Sequence, residues 1–432
     1  MTTKTMLNRR RFLARTAVAG AGLAAPLLLP ARVLGREGAA PSERITLGVI
    51  GYGGRCAAIL PHFLTFDELR CVAVSDCRAA RLIAAKQAVD GRYQDTGCAA
   101  YADFRDLFSR QDIDAVLIAT GDRWHTPLSV LAAKAGMDIF CEKPVSMTIG
   151  EGRVLADTMA SHGRVFQAGH QRRSVDSYRF QMETARNGRI GRVHTVVCQV
   201  WQGPTVAWDT AQPVPEGFDY DMWLGPVAWR PYSPAFVGGW NYFWDTGGGP
   251  LIGMGCHYTD LAQWALQRDD TGPVTYEGTA TWDGEAYSDT PVTADCTCTY
   301  ADGVKIELRS SGAFQDRYIR FVGTEGWIQV DDQTNAITAE PSSILRDRTV
   351  SERGWDETGE HVRDWLDCIK SREQPICHPE SAHRATVICH AVNIGLRLGR
   401  GLQFDPQTER FLDDDEANAM LVREQRAPWN LI

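Results

Sequence analysis

The 432-residue chain has no apolar run long enough to stay in a bilayer as a permanent span. Its twelve cysteines include no CxxC pair, which leaves a common zinc or redox spacing without support. Cys296 and Cys298 lie two apart in a strand-like run, share a face and are badly placed to bridge each other. A disulfide framework is not expected in a chain with this much core. Basic residues are not in excess: 45 Lys and Arg stand against 54 Asp and Glu, a formal charge of −9. A nucleic-acid or anionic-membrane partner demands a basic footprint, so neither is expected. Forty glycines and twenty prolines are ordinary usage, so a repeat array is excluded too. What remains is a globular chain, 44% hydrophobic, of a length that calls for two or three domains.

The first forty residues differ from the rest. They hold seven basic residues and one acid, Glu37, so 38 basic and 53 acidic residues follow them, a charge of −15. Arg9 and Arg10, then Phe12 and Leu13, precede a small-residue apolar segment from Thr16 to Pro30, the pattern of a twin-arginine export signal. No cysteine follows that segment, so no lipid anchor is expected after processing. Residues 1–40 are therefore set apart from the fold, and an exported, periplasmic enzyme is expected.

From Ile45 to Gly169, short apolar runs alternate with helical stretches. Ile45–Ile50, Cys71–Ser75, Ala115–Ala119, Ile139–Cys141 and Val165–Ala168 read as buried strands, with helices near 55–64, 79–89, 126–135 and 149–161. That series predicts a doubly wound parallel sheet, a Rossmann domain over 44–169. Past residue 190 the period changes. Val193–Trp201, Val274–Trp282, Val292–Tyr300, Val304–Arg309 and Tyr318–Val322 are longer strands, and 292–300 alternate strictly. One buried and one wetter face predict a large, mostly antiparallel sheet in an α/β domain over 170–403. Helices are expected near 357–371 and 380–399, and residues 404–432 read as a polar arm.

Gly51-Tyr52-Gly53-Gly54-Arg55-Cys56 directly follows the first strand. Gly51 permits a tight turn, and Gly53 lets the backbone approach a pyrophosphate at a helix N-terminus; Gly54 and Arg55 open that helix. Cys56 replaces the third glycine of the fingerprint. Asp76 closes the second strand, where an acid binds ribose hydroxyls and favours NAD; Arg78, two residues on, leaves NADP open.

Several segments together resemble the Gfo/Idh/MocA oxidoreductases, which include glucose–fructose oxidoreductase and the inositol dehydrogenases. Glu142-Lys143-Pro144 matches the family signature after the fifth strand. Ala119-Thr120-Gly121-Asp122-Arg123-Trp124-His125 resembles the loop after the fourth, and residues 247–264 resemble the helix that carries a catalytic histidine. The segments 404–418 and 426–429 look like those of an exported branch. The likeness implies a tightly bound NAD or NADP, touched by Thr120, Trp124, His125, Glu142, Lys143 and Gln171. It also implies a homodimer or homotetramer.

By the same resemblance Lys143 sits beside the nicotinamide and the reacting hydroxyl, where its ammonium stabilises a developing alkoxide. His257 is the acid/base, since imidazole titrates near neutral pH. The family usually places Asp four residues before this histidine; here that residue is Gly253. Asp260, one turn after His257, stands as a substitute orienting group. Arg172 and Tyr258 are expected at the substrate, as are Trp240, Tyr242 and Trp244, because seven of thirteen tryptophans lie between Trp201 and Trp264 and sugar C–H faces pack on aromatic rings. Cys377, His378, His383, Cys389 and His390 fit no common zinc spacing, so no metal is expected. The expected activity is hydride transfer between a nicotinamide and a sugar, glycoside or cyclic polyol. Two alternatives share the scaffold. One is a glycosidase that oxidises, eliminates, hydrates and reduces with its cofactor recycled in place. The other is a non-catalytic sugar-binding protein. Product analysis separates the first two: a ketone or lactone against a hydrolysed glycoside.

Overall fold

The computed structural model describes residues 44–346 and 357–432, so the twin-arginine segment lies outside the described residues. Six strands form the first sheet: β1 Ile45–Ile50, β2 Leu69–Ser75, β3 Ala99–Tyr101, β4 Ala115–Ile118, β5 Asp138–Cys141 and β6 Phe166–Ala168. All neighbours pair in parallel, in the order β3-β2-β1-β4-β5-β6. The near-continuous apolar runs of β1, β4 and β5 belong to strands covered on both faces. The sequence pass left out β3, whose three residues are too short to show a period.

The second sheet has nine strands. They are β7 Val193–Val200, β8 Thr275–Thr281, β9 Thr293–Thr299, β10 Lys305–Ser310, β11 Tyr318–Gly323, β12 Gly326–Asp331, β13 Ile337–Glu340, β14 Leu402–Asp405 and β15 Arg410–Phe411. Their order is β13-β12-β11-β7-β10-β9-β8-β14-β15, antiparallel except for the β7–β10 pair. Val196, Cys198, Ile306, Leu308, Ile319, Phe321, Ile328 and Val330 point to one face and share a core with the helices Asp176–Arg186, Gly255–Leu266 and Pro379–Leu398. Cys296 and Cys298 are both buried on that face, as the alternation required, and all twelve cysteines are free.

Two segments of the second half also pack against the first sheet. The Glu357–Ser371 helix packs on both domains: His361 meets Ser174 of the second at 2.8 Å, while Val362, Trp365 and Leu366 complete the core of the first sheet against Phe63 and Phe140. Its strong amphipathic stripe required a partner, and the uncovered face of the parallel sheet is that partner. Residues 404–432 do not behave as one arm. β14 and β15 extend the second sheet, and the end of the chain returns to the first domain, where Trp429 is buried edge-on against Trp124. Among the described residues no helix is long and apolar enough to cross a membrane.

Candidate active site at the Lys143–Gly253 contact

The strand order of the first sheet reverses between β1 and β4. Chains leaving these strands diverge and open a crevice at their carboxyl ends. Gly51, Gly53, Gly54, Arg55, Asp76, Thr120 and Trp124 line a cleft of about 870 Å³ there. Gly51 adopts φ +85°, and a Cβ on it would lie 2.8 Å from Thr120 Cγ2 and 2.9 Å from the Ala119 carbonyl, so the turn admits only glycine. A Cβ on Gly54 would meet nothing within 4 Å, so the helix Gly54–Phe63 opens onto free space. No side chain caps that helix and no acid occupies its first turn, which leaves its N–H groups for an anion. The Asp76 carboxylate is fixed by the Tyr52 and Arg78 N–H groups, at 2.7 and 2.8 Å. Glycine cradle, uncapped helix and fixed acid fit a dinucleotide.

The far wall escaped the sequence reading. Arg81, Arg123 and Trp223 line it, with Trp240, which was expected at the substrate and instead faces this cleft. Arg123 is buried, donates to the Trp223 and Leu224 carbonyls and lies 4.1 Å over the Trp223 ring; burial lowers its pKa to about 10. It sits inside the segment that carried the family likeness, so a signal for it was present.

Glu142, Lys143 and Gln171 do not line the cleft. Glu142 is 3% exposed and accepts from Arg55 Nε at 2.9 Å, Gln171 Nε2 at 2.8 Å and the Lys143 N–H at 3.3 Å. Burial raises its pKa, and Arg55 and Lys143 outweigh burial, so the carboxyl is held below its ordinary range. It thereby fixes Arg55, which does line the cleft. His125 also turns away: its Nδ1 lies 2.6 Å from the Pro144 carbonyl, and burial lowers its pKa to about 4. That contact braces the Glu-Lys-Pro segment from behind.

Lys143 Nζ donates to the Gly253 carbonyl at 2.7 Å, joining the segment after β5 to the short turn Pro250–Gly253 that precedes the histidine helix. A Cβ on Gly253 would meet nothing within 4 Å, so the place of the missing acid is open space. Four residues on, His257 is buried with its Nδ1 unpartnered, and the His170 ring stands edge-on to it at 5.3 Å. Burial, then Arg172 and Lys143, push the His257 pKa well below 6.5, so its imidazole is neutral. Asp260 does not orient this ring. Its carboxylate is taken by Arg173 in a fully buried two-point ion pair at 2.7 and 2.8 Å. The helical turn carries Asp260 to the domain core rather than to the site.

Arg172 binds Asp332 through Nε at 2.6 Å, and Tyr258 lies beside them, its hydroxyl buried without a partner. Tyr242 is half-buried near Trp201. Trp244 is not at the site: Arg397 and Arg423 lie 4.5 and 5.9 Å from its ring. The Cys/His residues of the tail face separate partners. His378 caps its own helix, His383 bonds Glu409, His390 bonds the Ser146 carbonyl and Cys377 faces the His170 carbonyl. Among the described residues no three ligating groups converge on a metal position.

This geometry agrees with what the chain resembles. A model of the oxidoreductase-family NAD-binding Rossmann fold matches residues 45–170, and that of the family's C-terminal α/β domain matches 197–431. The chain is 24% identical to a 2,7-anhydro-N-acetylneuraminate hydratase of Mediterraneibacter gnavus, over 58% of this chain and 61% of that protein. It is 23% identical to the myo-inositol 2-dehydrogenase of Thermotoga maritima, over 83% and 98%. The solved aldose–aldose oxidoreductase of Caulobacter crescentus superposes with a TM-score of 0.63 at 17% identity, covering 84% of this chain and 100% of that one. With both domain models matched in order across nearly the whole described chain, the protein belongs to the Gfo/Idh/MocA oxidoreductase family and carries its NAD-binding Rossmann domain.

Proposed function

We propose that this protein is an exported, NAD-dependent oxidoreductase acting on a hydroxyl of a sugar, glycoside or cyclic polyol. The observation that carries the reading is the Lys143–Gly253 contact. It brings the signature lysine to the segment that leads into the His257 helix, close enough for its charge to act on that imidazole. A nicotinamide held in the dinucleotide crevice supplies the hydride acceptor or donor. Lys143 donates a hydrogen bond to the reacting oxygen and stabilises negative charge as the O–H bond breaks. The neutral His257 takes the hydroxyl proton in oxidation and returns it in reduction. The myo-inositol and aldose enzymes above support the substrate class. Asp76, presented to the ribose end of the crevice, supports NAD over NADP.

Arg9 and Arg10 support export to the periplasm, where tight retention of the nucleotide is required because no cytoplasmic pool replaces it. The wetter face of the second sheet, with Tyr318, Arg320, Trp327 and Gln329 half-exposed, supports a homodimer or homotetramer through that face.

The test is nicotinamide absorbance of the purified protein, nucleotide aboard, as sugars and polyols are added one by one. A lasting change is expected with at least one of them. The Lys143→Met protein is expected to lose about two to four decades of rate. A hydrolysed glycoside with no lasting change would replace this reading with the cofactor-recycling glycosidase.

A further inference from the structure

β7 and β10 run parallel and end together at Val200 and Ser310; β11 starts and β12 stops at the same edge. Trp201, Arg317 and Asp332 therefore emerge side by side. The turn after β6 brings Arg172 to them, and the helix of His257 brings Tyr258. One carboxylate serves this cluster. Asp332, whose side chain is 3% exposed, accepts from Arg172 Nε and the Tyr178 hydroxyl, both at 2.6 Å, through a single oxygen. Its other oxygen lies 3.5 Å from Arg317 Nε, a contact without hydrogen-bond geometry. Two guanidinium groups thus share one negative charge. Arg317 Nε is buried without a hydrogen-bond partner, and so is the hydroxyl of the fully buried Tyr258. Two buried donors without partners, beside two guanidinium groups that share one carboxylate, are costly to leave so, and an anion completes a site built this way. Phe314, 4.0 Å from Arg317 and largely exposed, and Trp201 flank the position with apolar ring surface.

We infer that the substrate carries a carboxylate, as a uronic acid or its glycoside does, and that Arg172 and Arg317 hold it while Lys143 and His257 act on a ring hydroxyl. The inference rests on the proposed redox reading and names its substrate class. A single negative charge matches the single excess positive charge of the Arg172–Arg317–Asp332 cluster, and a planar carboxylate matches the fork of a guanidinium better than a dianionic phosphate does. The Tyr258 hydroxyl, directly after His257, supplies the third donor.

The experiment uses the holoenzyme with matched pairs differing only at one carbon: glucuronate and glucose, galacturonate and galactose, with glucose 6-phosphate as a third arm. Turnover is read from nicotinamide absorbance and binding from tryptophan fluorescence. A uronate is expected to exceed its neutral counterpart in kcat/KM by about 100-fold, carried mainly by KM, the scale of a charge-assisted contact. Arg317→Gln is expected to shrink that ratio by about tenfold or more, and Arg317→Lys, which keeps the charge but not the fork, to fall between. Equal turnover of acid and neutral sugars, or an unchanged ratio in Arg317→Gln, overturns the inference and leaves the redox reading standing. Preference for the phosphate overturns the carboxylate. Uronate binding that depends on Arg317 but produces no redox change keeps the anion site and sinks the redox reading instead.

Discussion

Asp122 stands in the loop that carries the family likeness, 6% exposed, with Lys143 and Arg123 as its nearest electrostatic influences. Burial dominates over both cations and raises its carboxyl from 3.8 to about 8. At neutral pH the folded protein therefore keeps a proton there that the unfolded chain has released. Stability from this group is fully present below about pH 4 and is lost as pH rises through about 8, at about 1.4 kcal/mol per pH unit. Asparagine has nearly the same shape and does not titrate, so Asp122→Asn removes only this dependence. Between about pH 5 and about pH 7 the variant should gain about 2.7 kcal/mol on the parent protein. Every other titrating group appears in both proteins and cancels from the difference. Urea unfolding followed by tryptophan fluorescence measures it, with an unchanged m-value as the check that both proteins expose the same surface. A stability gap that stays constant within about 0.5 kcal/mol across that window would refute the argument that burial outweighs Lys143 and Arg123 at this carboxyl.

Three further outcomes are expected. Gly51→Ala forces a Cβ to within 3 Å of Thr120 and the Ala119 carbonyl at φ +85°, so it should cost about 2–4 kcal/mol in thermal denaturation and weaken nucleotide binding. Asp76→Ala should lower NAD affinity by about tenfold or more and NADP affinity less, in a nucleotide titration, because it removes the ribose acceptor that repels a 2′-phosphate. The pH profile of kcat/KM should keep its acid limb below 6.5, because burial, Arg172 and Lys143 hold His257 neutral and able to accept a proton until the pH falls below its depressed pKa. An acid limb at or above 6.5 would remove His257 from the proton-acceptor role.

Much of the fold was legible because its signals are local. Short apolar runs separated by helical stretches required a parallel sheet, and strict alternation over 292–300 placed Cys296 and Cys298 on a buried face. Gly51, Gly53 and Asp76 were found for the same reason: each needs only its own turn or strand end. That the Glu357–Ser371 helix also covers the first sheet was not legible, because an amphipathic stripe says that a face must be covered and not by what. Trp240, Trp244 and Asp260 were misplaced because residue type and spacing do not say which way a turn carries a side chain. The first ring went to the dinucleotide cleft, the second to two arginines and the carboxylate to Arg173.

The sequence by itself determined the family, the parallel sheet followed by the mostly antiparallel one, and the glycine turn of the crevice, because those features are written in contiguous segments. Tertiary structure alone decided the electrostatics of the site. The neutrality of His257, the raised carboxyl of Asp122 and the shared carboxylate of Asp332 arise between residues 85 to 160 positions apart in the chain or from burial by distant elements. Electrostatic interaction and desolvation act through space and depend on what excludes water, and neither quantity exists until the two sheets, their helices and the returning chain end have packed.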